Sequence, residues 1–444
     1  MDTAVHDIQQ IFRYAVAAVH PANLMQQHVA VLPGTHRIRV ADHIYTLPAE
    51  GKVWILGAGK AAAAMAAELE KILSKHFPLQ GLVVTKYGHA LPLKQLSLLE
   101  AGHPVPDENS VTATVKLLEI AHQVQADDLV FFLLSGGASA LLADVPAGST
   151  LREVQQLFEA LLKSGADIGE MNTVRKHLSS VKGGQLAQLI RPARLCTLIL
   201  SDVVGDDLSV IGSGPTVADP STFQDTLSIL KQYHLQDQLP ASLWQYLQQG
   251  AAGLIAETPK PGDADFSHVY NYLAGTNRIA LKAAAAEAKA LGYHALILSD
   301  TVTGDVHAVA AMLTKASERY RGPLPACLLA GGETTVKITG TGLGGRNQQL
   351  ALEMGIAISG DPRLTFLSGG TDGGDGPTNA AGAIVNASTI ENAVNHELDP
   401  NSFLRNNDAW HFFSKAGGLM ITGPTQTNVM DLMILLIHPA PLKI

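Results

Sequence analysis

The side chains best suited to chemistry in this chain stand just after short apolar runs. The first such run, in KVWILGAGK, ends in Gly57-Ala58-Gly59-Lys60 and opens onto an Ala-rich stretch. Glycines let the backbone close on an anion, amides at a helix start point toward it, and Lys60 adds a full positive charge. Gly57 to Ala62 fits the dinucleotide pattern G-x-G-x-x-A. The carboxylate that pattern needs about 20 residues on is missing, because the next apolar run ends in Thr85-Lys86-Tyr87. Read instead as a phosphate loop, the stretch has Trp54 in place of the upstream glycine and Ala61 in place of the hydroxyl residue. An anion at a helix start is expected, with the nucleotide class open.

Later strand ends carry complementary groups. Ser135-Gly136-Gly137-Ala138-Ser139 offers hydroxyls and small residues able to cradle phosphate oxygens, without the G-x-S-x-G elbow of a serine hydrolase. Asp202, Asp206 and Asp207 follow the run RLCTLIL. Paired hard oxygens suit Mg²⁺ shared with substrate phosphates, and an aspartate at a strand end can accept a hydroxyl proton. Glu333 follows Gly331-Gly332, and Arg346 sits after Gly340, Gly342, Gly344 and Gly345, where its planar fork matches a carboxylate or phosphate. Asp372 and Asp375, in TDGGDGPT, are candidates for a metal or a substrate hydroxyl, although calcium-loop spacing is absent. The stretch from Met171 to Gly184 gathers Arg175, Lys176, His177 and Lys182 into local positive potential. The 17 histidines show no zinc spacing, and only His103, in Gly-His-Pro-Val-Pro-Asp, lies in a distinctive loop.

The elements that must position these groups follow from composition and rhythm. The chain has 444 residues, 46% apolar and 16% charged, with a net charge of −9. That excludes a disordered or polycationic chain and argues against broad binding to nucleic acid or anionic membranes. Cys196 and Cys327 read as buried free thiols. The first residues lack a signal-peptide pattern and no apolar run is long enough to span a bilayer, so a soluble cytoplasmic protein is expected. Continuous apolar runs alternating with helical stretches predict an α/β fold with mostly parallel sheets. The Pro- and Gly-rich region from about 236 to 268 breaks the rhythm. Two domains are therefore expected, over 1–250 and 251–444.

Taken together, GAGKAAAAMA, AGHPVPDENS, LLSGGASALL, NTVRKHLSSVKGGQLA, LILSDVVGDDLSVIGSGPT, AGGETTVKITGTGLGGRNQQLAL, LSGGTDGGDGPTNAAGA and GPTQTNVMDLMILLI resemble the glycerate 2-kinase family. They run in the family's order from position 57 to 437. The resemblance implies a Rossmann-like N-terminal domain, a smaller C-terminal MOFRL domain and an interdomain cleft holding the active site. It also implies transfer of phosphate from ATP, with Mg²⁺, to the 2-hydroxyl of D-glycerate. The family's catalytic lysine, aspartate and arginine fall on Lys60, Asp202 and Arg346. Gly57, Gly59, Ser135, Gly136, Gly137 and Ser139 are the expected nucleotide contacts. Asp202 and Asp206 are the expected metal ligands, with Glu333, Asp372 and Asp375 as substrate or metal candidates. Gln185 and Gln426 depart from the family pattern outside the assigned positions. The partner expected is the small-molecule substrate, with no nucleic acid or membrane and with a homodimer allowed. Some relatives carry the label hydroxypyruvate reductase, so an NAD(P)H-dependent reductase is the alternative, and a non-catalytic binding protein the third reading.

Overall fold

A computed structural model describes residues 3–262 and 266–440. Three strands, β1 (Val29–Val31), β2 (Arg37–Val40) and β3 (His43–Thr46), form a small antiparallel sheet. Six more, β4 (Val53–Ala58), β5 (Leu79–Lys86), β6 (Ser97–Ala101), β7 (Leu129–Ser135), β8 (Arg194–Leu200) and β9 (Val269–Gly275), form the N-terminal sheet. Their order is β6-β5-β4-β7-β8-β9, and the pairs from β6 across to β8 are parallel. Every residue of β4 and β7 is buried, which is why both read as unbroken apolar runs rather than alternations. Counted within the sheet, this is the 3-2-1-4-5-6 order of a dinucleotide fold. Its strand order reverses between β4 and β7, where such sheets collect ligands beyond the strands' carboxyl ends.

The C-terminal sheet differs from the expectation of mostly parallel strands. Its strands are β10 (His294–Asp305), β11 (Ala326–Thr335), β12 (Leu364–Gly370), β13 (Gly382–Asn386), β14 (Leu419–Met420) and β15 (Asp431–Ile437), in the order β10-β11-β15-β12-β13-β14. Only β10 and β11 run parallel; β15 lies antiparallel between β11 and β12, and β12, β13 and β14 continue antiparallel. An apolar run such as Leu432–Ile437 reports burial on both faces but carries no sign of strand direction. The glycines after the apolar runs also lie partly inside strands. Gly331, Gly332 and Glu333 are within β11, and Gly369 and Gly370 are within β12.

The chain divides into two compact units, and they differ from a cut at 250/251 in three places. Strand β9 completes the edge of the N-terminal sheet, so that unit continues to Ala274. The segment up to Asn23 belongs with the C-terminal unit, as does Asp202–Gly205. The reason is packing. Helix Thr3–Ala18 buries Ile8, Ile11, Phe12 and Ala15 completely. The Phe12 ring fills the space where a side chain on Gly369 would stand, 2.9 Å from its ideal Cβ, and the Tyr293 hydroxyl donates to Asp7 at 2.8 Å.

Candidate active-site residues

At the switch point of the N-terminal sheet, Lys60 follows β4 and immediately precedes helix Ala62–Leu73. Its turn is closed onto the end of β7: Lys60 N donates to the Gly136 carbonyl at 2.9 Å, and Ala61 N to Ser135 Oγ at 3.1 Å. Gly59 takes φ +138, and a Cβ there would lie 2.1 Å from Ser135 Oγ. Gly57 sits inside β4, where a Cβ would meet Leu133 at 2.9 Å. These glycines and the buried Ser135 therefore weld two strands together. At Gly57 and Gly59, two of the expected nucleotide contacts, the close approaches seen here are to protein.

The side chains at this point include two cations, Lys60 and Lys86. Gly137, at φ +87, would press a Cβ to 2.8 Å from His103 Cδ2 and 3.5 Å from Lys60 Cγ. Lys86 ends β5, and the His89 ring reaches the Lys60 carbonyl at 3.3 Å. Burial first, then the charges of Lys60, Lys86 and His89, holds the His103 imidazole down at about 4. His103 is therefore neutral at physiological pH inside a positive neighbourhood. The role left open for it by its sequence is thus a neutral ring beside Lys60.

Next to this cluster, Ser139 leaves the sheet in the short helix Ala138–Leu141 and meets Ser213 Oγ at 2.6 Å. Ser213 is fully buried at φ +61, between Gly212 at φ +58 and Gly214 at φ +63. A left-handed serine is strained, and such strain persists where the surroundings over-determine it. Here Gly183 N and Gly184 N donate to the Ser213 and Gly214 carbonyls at 3.0 and 2.8 Å. Ser213 in turn donates to Asn172 Oδ1 at 3.0 Å, and Arg175 Nη1 donates to the same oxygen at 2.8 Å. Both lie on helix Ile168–His177, started by a reciprocal Asp167–Glu170 cap.

In the C-terminal unit, Arg346 is the first residue of helix Arg346–Ala357. Its Nε and Nη2 donate to the Asp431 carboxylate at 2.5 and 3.1 Å, and Nη1 pairs with Glu333 at 2.9 Å. Burial weighs against the charge, but Asp431, Glu333 and Asp375 override it and raise the guanidinium pKa. Three of its five N–H groups are thus engaged, and the side chain is still 34% exposed. Asp431 is wholly buried at the start of β15. A lone aspartate opening an apolar run was the only sequence signal for it.

Asp375, a metal or substrate candidate, serves this helix. Its oxygens accept from Asn347 N at 3.0 Å, Gln348 N at 2.8 Å and Gln348 Nε2 at 3.0 Å. That is capping of the first-turn amides. Burial pushes its pKa up to about 6 against those amide bonds. The glycines before Arg346 likewise meet protein: a Cβ on Gly340 would lie 2.3 Å from the Asn406 carbonyl, and one on Gly345 2.3 Å from Asp375. Asp372 accepts from Gly374 N at 3.0 Å and keeps partial exposure. Asp202 Oδ2 accepts from Asn428 Nδ2 at 3.3 Å, which ties it to the loop leading into Asp431. Asp206 stands in a left-handed turn at φ +56, in the other unit. Among the described residues, no three His, Cys, Asp or Glu side chains gather to hold a metal ion. Mg²⁺ shared with phosphates needs only one or two carboxylates, so Asp202 still fits. No helix among the described residues is long and apolar enough to cross a membrane.

Residues 7–248 match the family described as a domain of unknown function, DUF4147, and residues 326–431 match the MOFRL family. The D-glycerate 2-kinase of Thermotoga maritima is 43% identical over 87% of this chain and 91% of its own. A protein of Agrobacterium vitis that carries the provisional name hydroxypyruvate reductase is 40% identical over 97% of this chain and 94% of its own. The crystal structure of the glycerate kinase from Thermotoga maritima superposes with a TM-score of 0.87 at 39% identity, covering 98% of this chain and 100% of that one. The chain belongs to the glycerate kinase family, built from a DUF4147 domain and a MOFRL domain.

Proposed function

We propose that the protein is an ATP-dependent D-glycerate 2-kinase that uses Mg²⁺. The observation that carries this reading is the 43% identity to a D-glycerate 2-kinase over nearly its whole length, and we assign the catalytic roles to Lys60, Asp202 and Arg346. The cations Lys60 and Lys86 at the switch point, beside the neutral His103 ring, support binding of a polyphosphate. ATP with Mg²⁺ supplies the phosphoryl group and neutralises part of its charge.

What remains for the protein is positioning and charge stabilisation. Lys60 neutralises oxygens of the transferring group. Asp202 accepts the proton of the attacking hydroxyl or holds Mg²⁺. Arg346 turns its remaining N–H edge to the acid or to developing charge, held rigid by Asp431 and Glu333. Gly136, Gly137 and Ser139 border the phosphate side. A coupled ADP-release assay with ATP, Mg²⁺ and D-glycerate, with phosphorus NMR of the product, tests this. Formation of 2-phosphoglycerate is expected. No ADP release, together with oxidation of NAD(P)H by hydroxypyruvate, overturns the reading.

A further inference from the structure

The cations of helix Ile168–His177 and the turn after it are unequally matched. Lys176 Nζ pairs with the fully buried side chain of Asp219 at 3.2 Å, and the His177 ring meets Glu257 at 3.1 Å. Lys182 donates to the Leu142 carbonyl and faces Asp144 at 3.8 Å. Burial outweighs Asp144 and, with Arg175 nearby, pulls Lys182 down to about 8. Arg175 alone has no carboxylate partner among the described residues. Its polar contact is Asn172 Oδ1, and its guanidinium carbon lies 4.9 Å from the Phe158 ring centre. Removing a guanidinium from water without a counter-charge is costly unless the charge arrives with a ligand.

Hydrogen-bond logic gives the neighbouring atoms a direction. Asn172 must present Oδ1 to Arg175, because a guanidinium only donates, so the amide orientation is set. Ser213 then gives its single proton to that oxygen. Ser139 must therefore donate to Ser213, which leaves the Ser139 lone pairs facing outward as acceptors. Asn172 is 4% exposed, yet its Nδ2 finds no partner among the described residues, a buried donor still waiting for an acceptor. Ser139 and Arg175 both keep partial exposure.

We propose that Arg175, with Asn172 and the Ser213–Ser139 relay, is the anchor for the carboxylate of the hydroxy-acid substrate, with Ser139 Oγ accepting a substrate hydroxyl. A phosphate of the nucleotide shares the anionic chemistry, but its unprotonated oxygens would meet the Ser139 lone pairs, whereas a hydroxy acid offers that atom an O–H. This assignment rests on the D-glycerate reading above. It moves Ser139 from the nucleotide to the acid.

The test compares the full-length wild type with Arg175→Gln, Arg175→Lys and Ser139→Ala, using KM for D-glycerate, KM for ATP and calorimetric binding of D-glycerate without nucleotide. Arg175→Gln is expected to raise KM for D-glycerate about 30-fold while KM for ATP stays within about 3-fold, and Arg175→Lys to recover part of the loss. Ser139→Ala, which leaves no buried charge behind, is expected to raise the same KM about 5-fold with an unchanged melting curve. A rise in KM for ATP instead would assign the site to nucleotide phosphate and overturn the proposal, as would no change in either. If the wild type turns over no D-glycerate, the kinase reading fails. Calorimetry then decides the anchor: D-glycerate binding that depends on Arg175 supports it, and absent or Arg175-independent binding overturns it.

Discussion

Arg346 and Asp431 meet in a two-point ion pair, Nε and Nη2 against the two oxygens of a carboxylate that has no solvent exposure. The helix carrying Arg346 is thereby pinned to the central strand of its sheet. Breaking such a pair from one side leaves the other charge buried. Arg346→Gln is expected to lower unfolding free energy by about 3 kcal/mol, measured by urea denaturation, in addition to any loss of turnover. Asp431→Asn removes the buried charge itself, and a smaller stability loss is expected, accompanied by a fall in kcat as Arg346 loses its alignment.

Lys60 has no ion-pair partner among the described residues, and it stands at the switch point of the sheet. Lys60→Ala should therefore cut kcat by about 10³-fold, the scale of one transition-state charge contact, while the circular-dichroism melt stays within about a degree or two of wild type. An active Lys60→Ala enzyme would remove Lys60 from the chemistry.

His103 titrates near 4 in the fold against an ordinary 6.5. Between those values the unfolded chain takes up a proton that the folded chain refuses, so stability falls as pH drops from 6.5 to 4. Above 6.5 both states are neutral and the effect vanishes. His103→Asn is expected to flatten the decline in Tm over that window. Parallel pH profiles for the two proteins would contradict a neutral, half-buried ring.

Asp375 separates structural from catalytic acidity. Asp375→Asn retains one acceptor oxygen for two backbone amides, and a stability loss of about 1–2 kcal/mol is expected. The Mg²⁺ concentration giving half-maximal turnover should remain unchanged. A shift in that concentration without a change in stability would return Asp375 to the metal.

Part of this was legible in the residue order. Lys60 was, because a Gly-Lys turn between an apolar run and an Ala-rich stretch is a local pattern with a local cause. So was the close backbone approach around Gly340 and Gly345. What approaches was not legible, since the Asn406 carbonyl and the Asp375 carboxylate come from distant segments. The Arg346–Asp431 pair joins residues 85 positions apart. Nothing near Asp431 marks it except one charge at the head of an apolar strand. Arg175 reads as one cation among several, and only the contacts of Lys176, His177 and Lys182 set it apart. The direction of β15 escaped for a similar reason: burial leaves a record in composition, whereas strand polarity depends on how the chain returns.

The helix Thr3–Ala18 packs with residues made much later in synthesis. Phe12 seats on Gly369 and Asp7 on Tyr293. At roughly 5–20 residues per second on the ribosome, the apolar face of Ile8, Ile11 and Phe12 emerges on the order of tens of seconds before its docking surface exists. Over that interval the face is uncovered. A bulky tag fused close to this helix would burden the maturation of the C-terminal domain more than that of the sheet it precedes in sequence.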